Sequence, residues 1–201
     1  MVIKSMMNMM KEIEAHPWEP FLPEGAKVLM LGSFPPKPER WKMSFYYPNL
    51  QNDMWRIFGL IFFHNKDYFL TGDGKAFQES RIRDFLVEKG IAVGDVAKRV
   101  IRHKNNASDQ FLEVVETLSL NEILEQLPYC EAIVTTGQKA TDVIVESLGV
   151  KAPRVGDYSS FVCRERGLRL YRMPSSSRAY PKPLAEKAKF YQKMMEELEL
   201  C

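Results

Sequence analysis

Four short apolar runs punctuate the chain, at 28–32, 91–96, 132–136 and 168–173. Each is too short for a helix, and short apolar runs of this kind are how strands of a sheet covered on both sides read. Between them apolar positions recur at helical spacing. Met54, Ile57, Phe58, Ile61 and Phe62 form one stripe and Phe111, Val114, Val115 and Leu118 a second. Ile123, Leu124 and Leu127 form a third, entered through Asn121 as a plausible N-cap. Segments 139–148 and 184–200 are also helical by pattern, the last amphipathic and rich in Lys and Glu. Strands alternating with helices predict a three-layer α/β/α sandwich around a central, mainly parallel four-stranded sheet. No repeat, low-complexity tract or linker divides residues 1–201, so one domain is expected, with 1–25 as an N-terminal extension packing on it. Segments 67–79 and 151–166 show no clear period. Gly156-Asp157-Tyr158 in the second mark a hairpin or a mobile loop.

Composition changes this picture mainly by exclusion. With 201 residues, 45% of them hydrophobic, the chain can bury one full core. A net charge of +2 does not by itself announce a nucleic-acid binder, so that case has to rest on local patches. No run approaches 18 apolar residues, and the Met-rich start carries Lys4 and Asn8 without an apolar core or a small-residue cleavage site. A cytoplasmic protein with no membrane partner is expected. Three cysteines, Cys130, Cys163 and Cys201, cannot build a disulfide framework or a four-thiolate zinc or iron-sulfur site. His16, His64 and His103 are isolated in sequence and read as surface or packing residues. Neither a metal nor another cofactor is expected. The two common glycine-rich nucleotide cradles and the serine-hydrolase elbow are missing.

Chemistry concentrates where the strands end. Ser33-Phe34-Pro35-Pro36, Ala97-Lys98-Arg99, Gly137-Gln138-Lys139 and Pro174-Ser175-Ser176-Ser177-Arg178 follow the four runs. In a parallel sheet all four emerge at the carboxyl edge, where open α/β sheets bind ligands. Helix N-termini, serine hydroxyls and Arg suit phosphate oxygens. Taken singly these are βα turns, which favour Gly, Ser and Pro anyway; their convergence on one edge carries the functional reading. The run Lys98-Arg99-Val100-Ile101-Arg102-His103-Lys104 is balanced between phosphate contact and a solvated cationic loop. Phe45-Tyr46-Tyr47-Pro48-Asn49-Leu50-Gln51-Asn52-Asp53-Met54-Trp55-Arg56 crowds aromatic faces, amides and a cation around a helix start, a surface suited to a flat polar ring.

Together the motifs Gly32-Ser33-Phe34-Pro35, Tyr46-Tyr47 and Asn52-Asp53-Met54-Trp55 resemble the uracil-DNA glycosylase superfamily, most closely its hypoxanthine-DNA glycosylase and mismatch-specific branch. Met173-Pro174-Ser175-Ser176-Ser177 is similar to the family's Leu-Pro-Ser-Thr-Ser loop. Gly90-Ile91-Ala92-Val93-Gly94-Asp95-Val96 and Asn106-Ala107-Ser108-Asp109 echo two further family motifs. The likeness runs in order over residues 28–191. The chain departs from the pattern at Phe34, where the mismatch-specific branch has its catalytic Asn, at Asn49-Leu50 in place of His-Pro, and at Arg178-Ala179-Tyr180 in place of Pro-Ala-Asn.

The resemblance implies excision of a deaminated base, uracil or hypoxanthine, turned out of duplex or single-stranded DNA by a monomeric enzyme. It assigns catalysis to Asn52 and stacking on the base to Tyr47; backbone amides around Ser33 and Phe34, with Asn49 beside them, complete the expected base-binding set. DNA binding falls to Gln138, Lys139, Ser175, Ser176, Ser177, Arg178 and Tyr180. An amide is a poor general base, so Asn52 is expected to position and polarise rather than to remove a proton. Its competing role is to cap the helix that carries Trp55. Arg178 beside Tyr180 is a candidate wedge; stacking of that kind contributes about 1–3 kcal/mol per base. Pro181 and Pro183 offer a plainer reading, an exposed stiff connection. No Lys beside the motif suggests a Schiff-base nucleophile, so strand cleavage is not expected. The alternatives are a nucleic-acid-binding module of the same fold without chemistry and an enzyme acting on a free nucleoside or nucleotide.

Overall fold

The computed structural model describes residues 12–103 and 111–201. The Met-rich start, Lys104 of the basic run and the Asn106-Ala107-Ser108-Asp109 turn lie outside the described residues. The described elements are β1 (Ile13–Ala15), β2 (Val28–Gly32), α1 (Met54–Phe63), α2 (Glu79–Lys89), β3 (Ile91–Asp95), β4 (Ala97–Arg102), β5 (Leu112–Thr117), α3 (Leu120–Gln126), β6 (Ala132–Thr136), α4 (Gln138–Leu148), β7 (Asp157–Cys163), β8 (Arg166–Met173) and α5 (Leu184–Glu197).

The main sheet has the order β3-β2-β6-β8-β7. Its first four strands are parallel, and they are the four apolar runs of the sequence; β7 adds an antiparallel edge to β8. All residues of β2, β3 and β6 are buried, so these strands show no polar alternation. Successive residues still face opposite layers. Met30, Val93, Val134 and Tyr171 join Trp55 and Phe58 of α1, Phe85 of α2 and Tyr191 of α5 in one apolar cluster. Leu31, Ala92, Ile133 and Leu170 join Ile123 of α3 and Ile144 of α4 in another. The molecule is therefore a three-layer α/β/α fold with a mainly parallel sheet in the middle.

A second sheet, β1-β4-β5, is antiparallel and corrects two expectations. The 111–118 stretch is strand rather than helix. Its apolar spacing fits either period over so short a run, and pairing of β-branched Val114, Val115 and Thr117 against β4 decides the matter. Residues 98–102 of the basic run lie in strand β4 rather than in a βα loop, and several of the run's side chains meet carboxylates there. Arg102 sits on Glu14 at 3.0 Å, Arg99 is 3.7 Å from Glu116, and His103 is 2.8 Å from Glu113. Residues 12–25 run along this region, with β1 paired to β4 and Phe21 exchanging backbone hydrogen bonds with Val93.

Smaller differences have local causes. Helix α2 had no clear sequence signal, because its buried stripe of Ile82, Phe85 and Leu86 is short and embedded in charge. Helix α3 is capped by Ser119, whose Oγ accepts from the Glu122 amide, rather than by Asn121. The ambiguous 151–166 segment is the hairpin of β7 and β8. Its two turn residues, Arg164 and Glu165, both have positive φ, as a two-residue turn matched to strand twist requires.

Burial pushes the Cys130 thiol up to about 11 and raises the phenols of Tyr46, Tyr171 and Tyr191. The unfolded chain therefore ionises first as pH climbs, so the stability Cys130 contributes is present below about pH 9 and is lost toward pH 11, while that of the phenols is present below about pH 10 and is lost above it. Urea midpoints should hold steady up to about pH 8.5 and fall above it, and an alkylating reagent at that pH should label exposed Cys201 before Cys130.

Candidate active site

The apolar row Val93, Met30, Val134 and Tyr171 crosses the core in register. One pleat further on, at the carboxyl edge, Asp95 stands opposite Gly32 and Thr136 opposite Met173. The same face of the sheet thus turns polar at its end. Tyr47 covers this edge. Its φ of 52° lies in the left-handed region that costs a side chain about 1–2 kcal/mol. Tertiary contacts hold it there, with the ring edge-on to Trp55 at 5.9 Å and the hydroxyl 3.1 Å from Thr136 Oγ1. Thr136 donates to the Leu31 carbonyl at 3.3 Å, so the Tyr47 hydroxyl is the donor in that pair. Glycine is required at position 32 by proximity: a Cβ there would collide with Asp95 Oδ1 and stand 3.3 Å from the Tyr47 hydroxyl.

Asp95 is anchored from the N-terminal segment. Its Oδ2 is 3.0 Å from His16 Nε2, with both side chains more than nine-tenths buried. His16 is stacked on Tyr46 and meets Phe34 and Trp18 edge-on. From spacing alone His16 reads as a surface or packing residue, and Asp95 has no assigned role. The signal was not recoverable from spacing, since the partners are 79 positions apart and meet only because β1 pairs with β4.

Two loops close the edge by bonding to each other. Asn52 and Ser177 form an antiparallel bridge. The Asp53 amide donates to the Ser176 carbonyl at 2.8 Å, and the Arg178 amide to the Gln51 carbonyl at 3.0 Å. Beneath them Asp53, 5% exposed, accepts from Arg178 Nε at 2.9 Å and from Lys187 Nζ at 3.2 Å. Lys187, 0% exposed, also donates to the Ser177 carbonyl at 2.8 Å. Lys187 is the other residue the sequence did not single out; nothing distinguishes it from the solvated lysines of its helix except its place in the fold. Nearby, burial first and the Arg178 charge second lower the Arg56 guanidinium.

Asn49 Oδ1 accepts from the Gln51 amide and Asn52 Oδ1 from the Met54 amide, both at 2.9 Å, so each amide oxygen shapes the turn into α1. The Asn52 cap-like bond is therefore made, while its Nδ2 has no protein partner among the described residues. Ser33 lies at the β2 exit, its carbonyl accepting from the Ala97 amide. Phe34 packs beside His16 and Arg102 against the second sheet. Ser175 Oγ accepts from the Ser177 amide, Ser177 Oγ from the Ala179 amide, and Ser176 is buried. Gln138 bridges Arg172 and Asp142. Lys139 donates to the Leu112 carbonyl at 3.1 Å. Tyr180 follows the serine loop, its amide on the Ser177 carbonyl. Arg178 is drawn down onto Asp53 rather than standing clear as a wedge, although 43% of its side chain remains exposed. Tyr47 and Asn52 thus anchor on β6 and on the segment after β8, which are adjacent strands. A hollow of about 180 Å³ lies behind His16, Tyr46 and Asp95, and one of about 550 Å³ among residues 65–81; neither is lined by Tyr47 or Asn52. No group of acidic, His and Cys side chains among the described residues could hold a metal ion, and no helix among them is long and apolar enough to cross a membrane.

No protein-family model matches the chain, and no curated protein matches it in sequence. Its fold is nevertheless shared with a solved structure. The solution NMR structure of a putative uracil DNA glycosylase from Methanosarcina acetivorans superposes with a TM-score of 0.64 at 22% identity, over 94% of this chain and 99% of that one. The likeness is one of fold.

Removing one partner of a buried ion cluster leaves a charge uncompensated. Lys187→Met should therefore lower unfolding free energy by about 3 kcal/mol and loosen the Ser177 loop in hydrogen exchange. Arg178→Ala should cost only about 1 kcal/mol, because its half-exposed guanidinium is screened by water.

Proposed function

We propose that the protein is a monofunctional DNA glycosylase that hydrolyses the N-glycosidic bond of a deaminated base, uracil or hypoxanthine, turned out of DNA. The observation that carries this reading is the bonded junction of the 49–53 loop with the 175–178 loop, which brings Asn52 and a serine-rich loop to one edge of the sheet. The glycosylase-like fold supports it.

A base inside a duplex is out of reach, so it has to rotate outward and find a substitute for its lost stacking. Tyr47 supplies that aromatic face. Cleavage places positive charge on the sugar and negative charge on the departing base, and donors already aimed at the base stabilise the transition state more than the ground state. Asn52 offers its Nδ2 hydrogens for this purpose, since its oxygen is committed to Met54. Backbone amides near Ser33 and Phe34 are further donors, and Asn49 holds the turn that presents Asn52. Ser175, Ser177, Arg178 and Tyr180 meet the DNA backbone, with Gln138 and Lys139 at the neighbouring βα junction. Ser176, being buried, contributes its backbone. Lys187, the lysine nearest the loop junction, has its ammonium bound to Asp53 and to a carbonyl, which leaves no lone pair for a Schiff base and favours simple hydrolysis. The unit acts as a monomer on duplex DNA and accepts single strands.

One observation favours a second reading, a binding module without turnover. Phe34 replaces a catalytic amide of relatives, and its ring is spent on packing with His16 and Arg102. Duplexes carrying uracil, hypoxanthine or xanthine opposite each normal base separate the two. The glycosylase should leave alkali-labile sites without nicking the strand, and Asn52→Ala should slow excision by about a hundredfold. Salt-sensitive gel shifts with no excision would establish the binding module instead.

A further inference from the structure

Hydrolysis of the glycosidic bond needs a group that takes a proton from water, and Asn52 is an amide. The loop junction holds one carboxylate, Asp53, and both of its oxygens are occupied by Arg178 and Lys187. Among the described residues a second carboxylate, Asp95, stands at this edge, and it is placed differently. Asp95 gives Oδ2 to His16, while its Oδ1 makes no hydrogen bond among the described residues, although its side chain is only 8% exposed. That free oxygen lies over Gly32, on the side where the Tyr47 hydroxyl approaches.

We infer that Asp95 is the carboxylate that activates the hydrolytic water, with His16 as its positioning residue; the assignment rests on the glycosylase reading above. Charge decides between the two things a carboxylate might do beside a bound base. Next to the base edge it would oppose the negative charge that develops on the leaving group. Next to the sugar it would stabilise the oxocarbenium-like carbon and accept a proton from the attacking water.

His16 is built to keep Oδ1 available. Its Nδ1 is 2.7 Å from the Trp18 carbonyl and 3.1 Å from the Trp18 amide. A neutral ring accepts from that amide through Nδ1, and a charged ring donates to that carbonyl. In both forms Nε2 carries a proton and donates to Asp95 Oδ2, so Oδ1 is left as the acceptor. In the reaction a water proton passes to Oδ1 while the water oxygen bonds to C1′. The C1′–N electron pair leaves with the base, which takes up a proton, and Asp95 returns its own proton to solvent. The net change adds one water across the bond.

Single-turnover excision by the intact protein tests the assignment, with affinity for the damaged duplex measured alongside. Asp95→Asn and Asp95→Ala should slow excision about 10²–10⁴-fold with affinity nearly unchanged, and added formate should restore part of the rate to Asp95→Ala. Gly32→Ala retains the carboxylate but displaces it, and should lose rate comparably. His16→Gln should lower kcat without raising KM. Asp95→Asn cleaving within about threefold of the unaltered protein overturns the assignment, as does failure of formate rescue. A change in which base is excised, rather than in rate, would make Asp95 a base-reading group and overturns it too. If the unaltered protein excises nothing, the glycosylase reading fails and this assignment fails with it, an outcome distinct from the others.

Discussion

A carboxylate buried to 5% exposure, with two cations on it, is the constraint on which the site depends. Asp53 cannot remain charged in the interior without partners, and neither can Lys187. Each satisfies the other, and the remaining ammonium hydrogens reach the Ser177 carbonyl. The charges sit on segments more than 120 residues apart in the chain, so neutralising them draws the entry to α1 and the exit from β8 together. Backbone bonds between Asn52, Asp53, Ser176 and Arg178 then follow from proximity. A buried cluster of this kind is weak evidence of net stability, and its clearer consequence is geometric: it leaves the two loops one arrangement.

The second determinant is the change from apolar to polar at the end of a covered sheet. The row of Met30, Val93 and Val134 is sealed by aromatic helix residues, and the next row carries Asp95, Gly32 and Thr136. Polar groups there are tolerated because each has a specific neighbour. Thr136 serves Leu31 and Tyr47, and Asp95 has His16 on one oxygen. The missing Cβ at Gly32 makes room for the carboxylate. Tyr47 is held in a backbone conformation that its side chain disfavours, and strain of that kind persists only where surrounding contacts over-determine it.

Legibility in the sequence followed the range of the interactions. Strands β2 and β6 were readable to the residue because a strand buried on both faces has to be apolar throughout. The carboxyl-edge position of Ser33, Gln138 and Ser175 followed from the parallel arrangement. Strand β5 was not readable, because Phe111, Val114, Val115 and Leu118 satisfy a helical period and only pairing with β4 rejects it. Asn52 shows both limits. Sequence supplied two roles for it, and the fold commits its oxygen to the helix entry and leaves its Nδ2 without a protein partner among the described residues.

Composition and periodicity thus determined the layered architecture, the common direction of the four parallel strands and the edge at which the polar loops emerge. These properties depend on burying apolar faces, which local pattern encodes. Tertiary structure alone decided that His16 meets Asp95, that Lys187 lies beneath Asp53 rather than in water, and that Arg178 is drawn inward. Those pairings join residues far apart in sequence, and their energy exists only after folding has excluded water from between them.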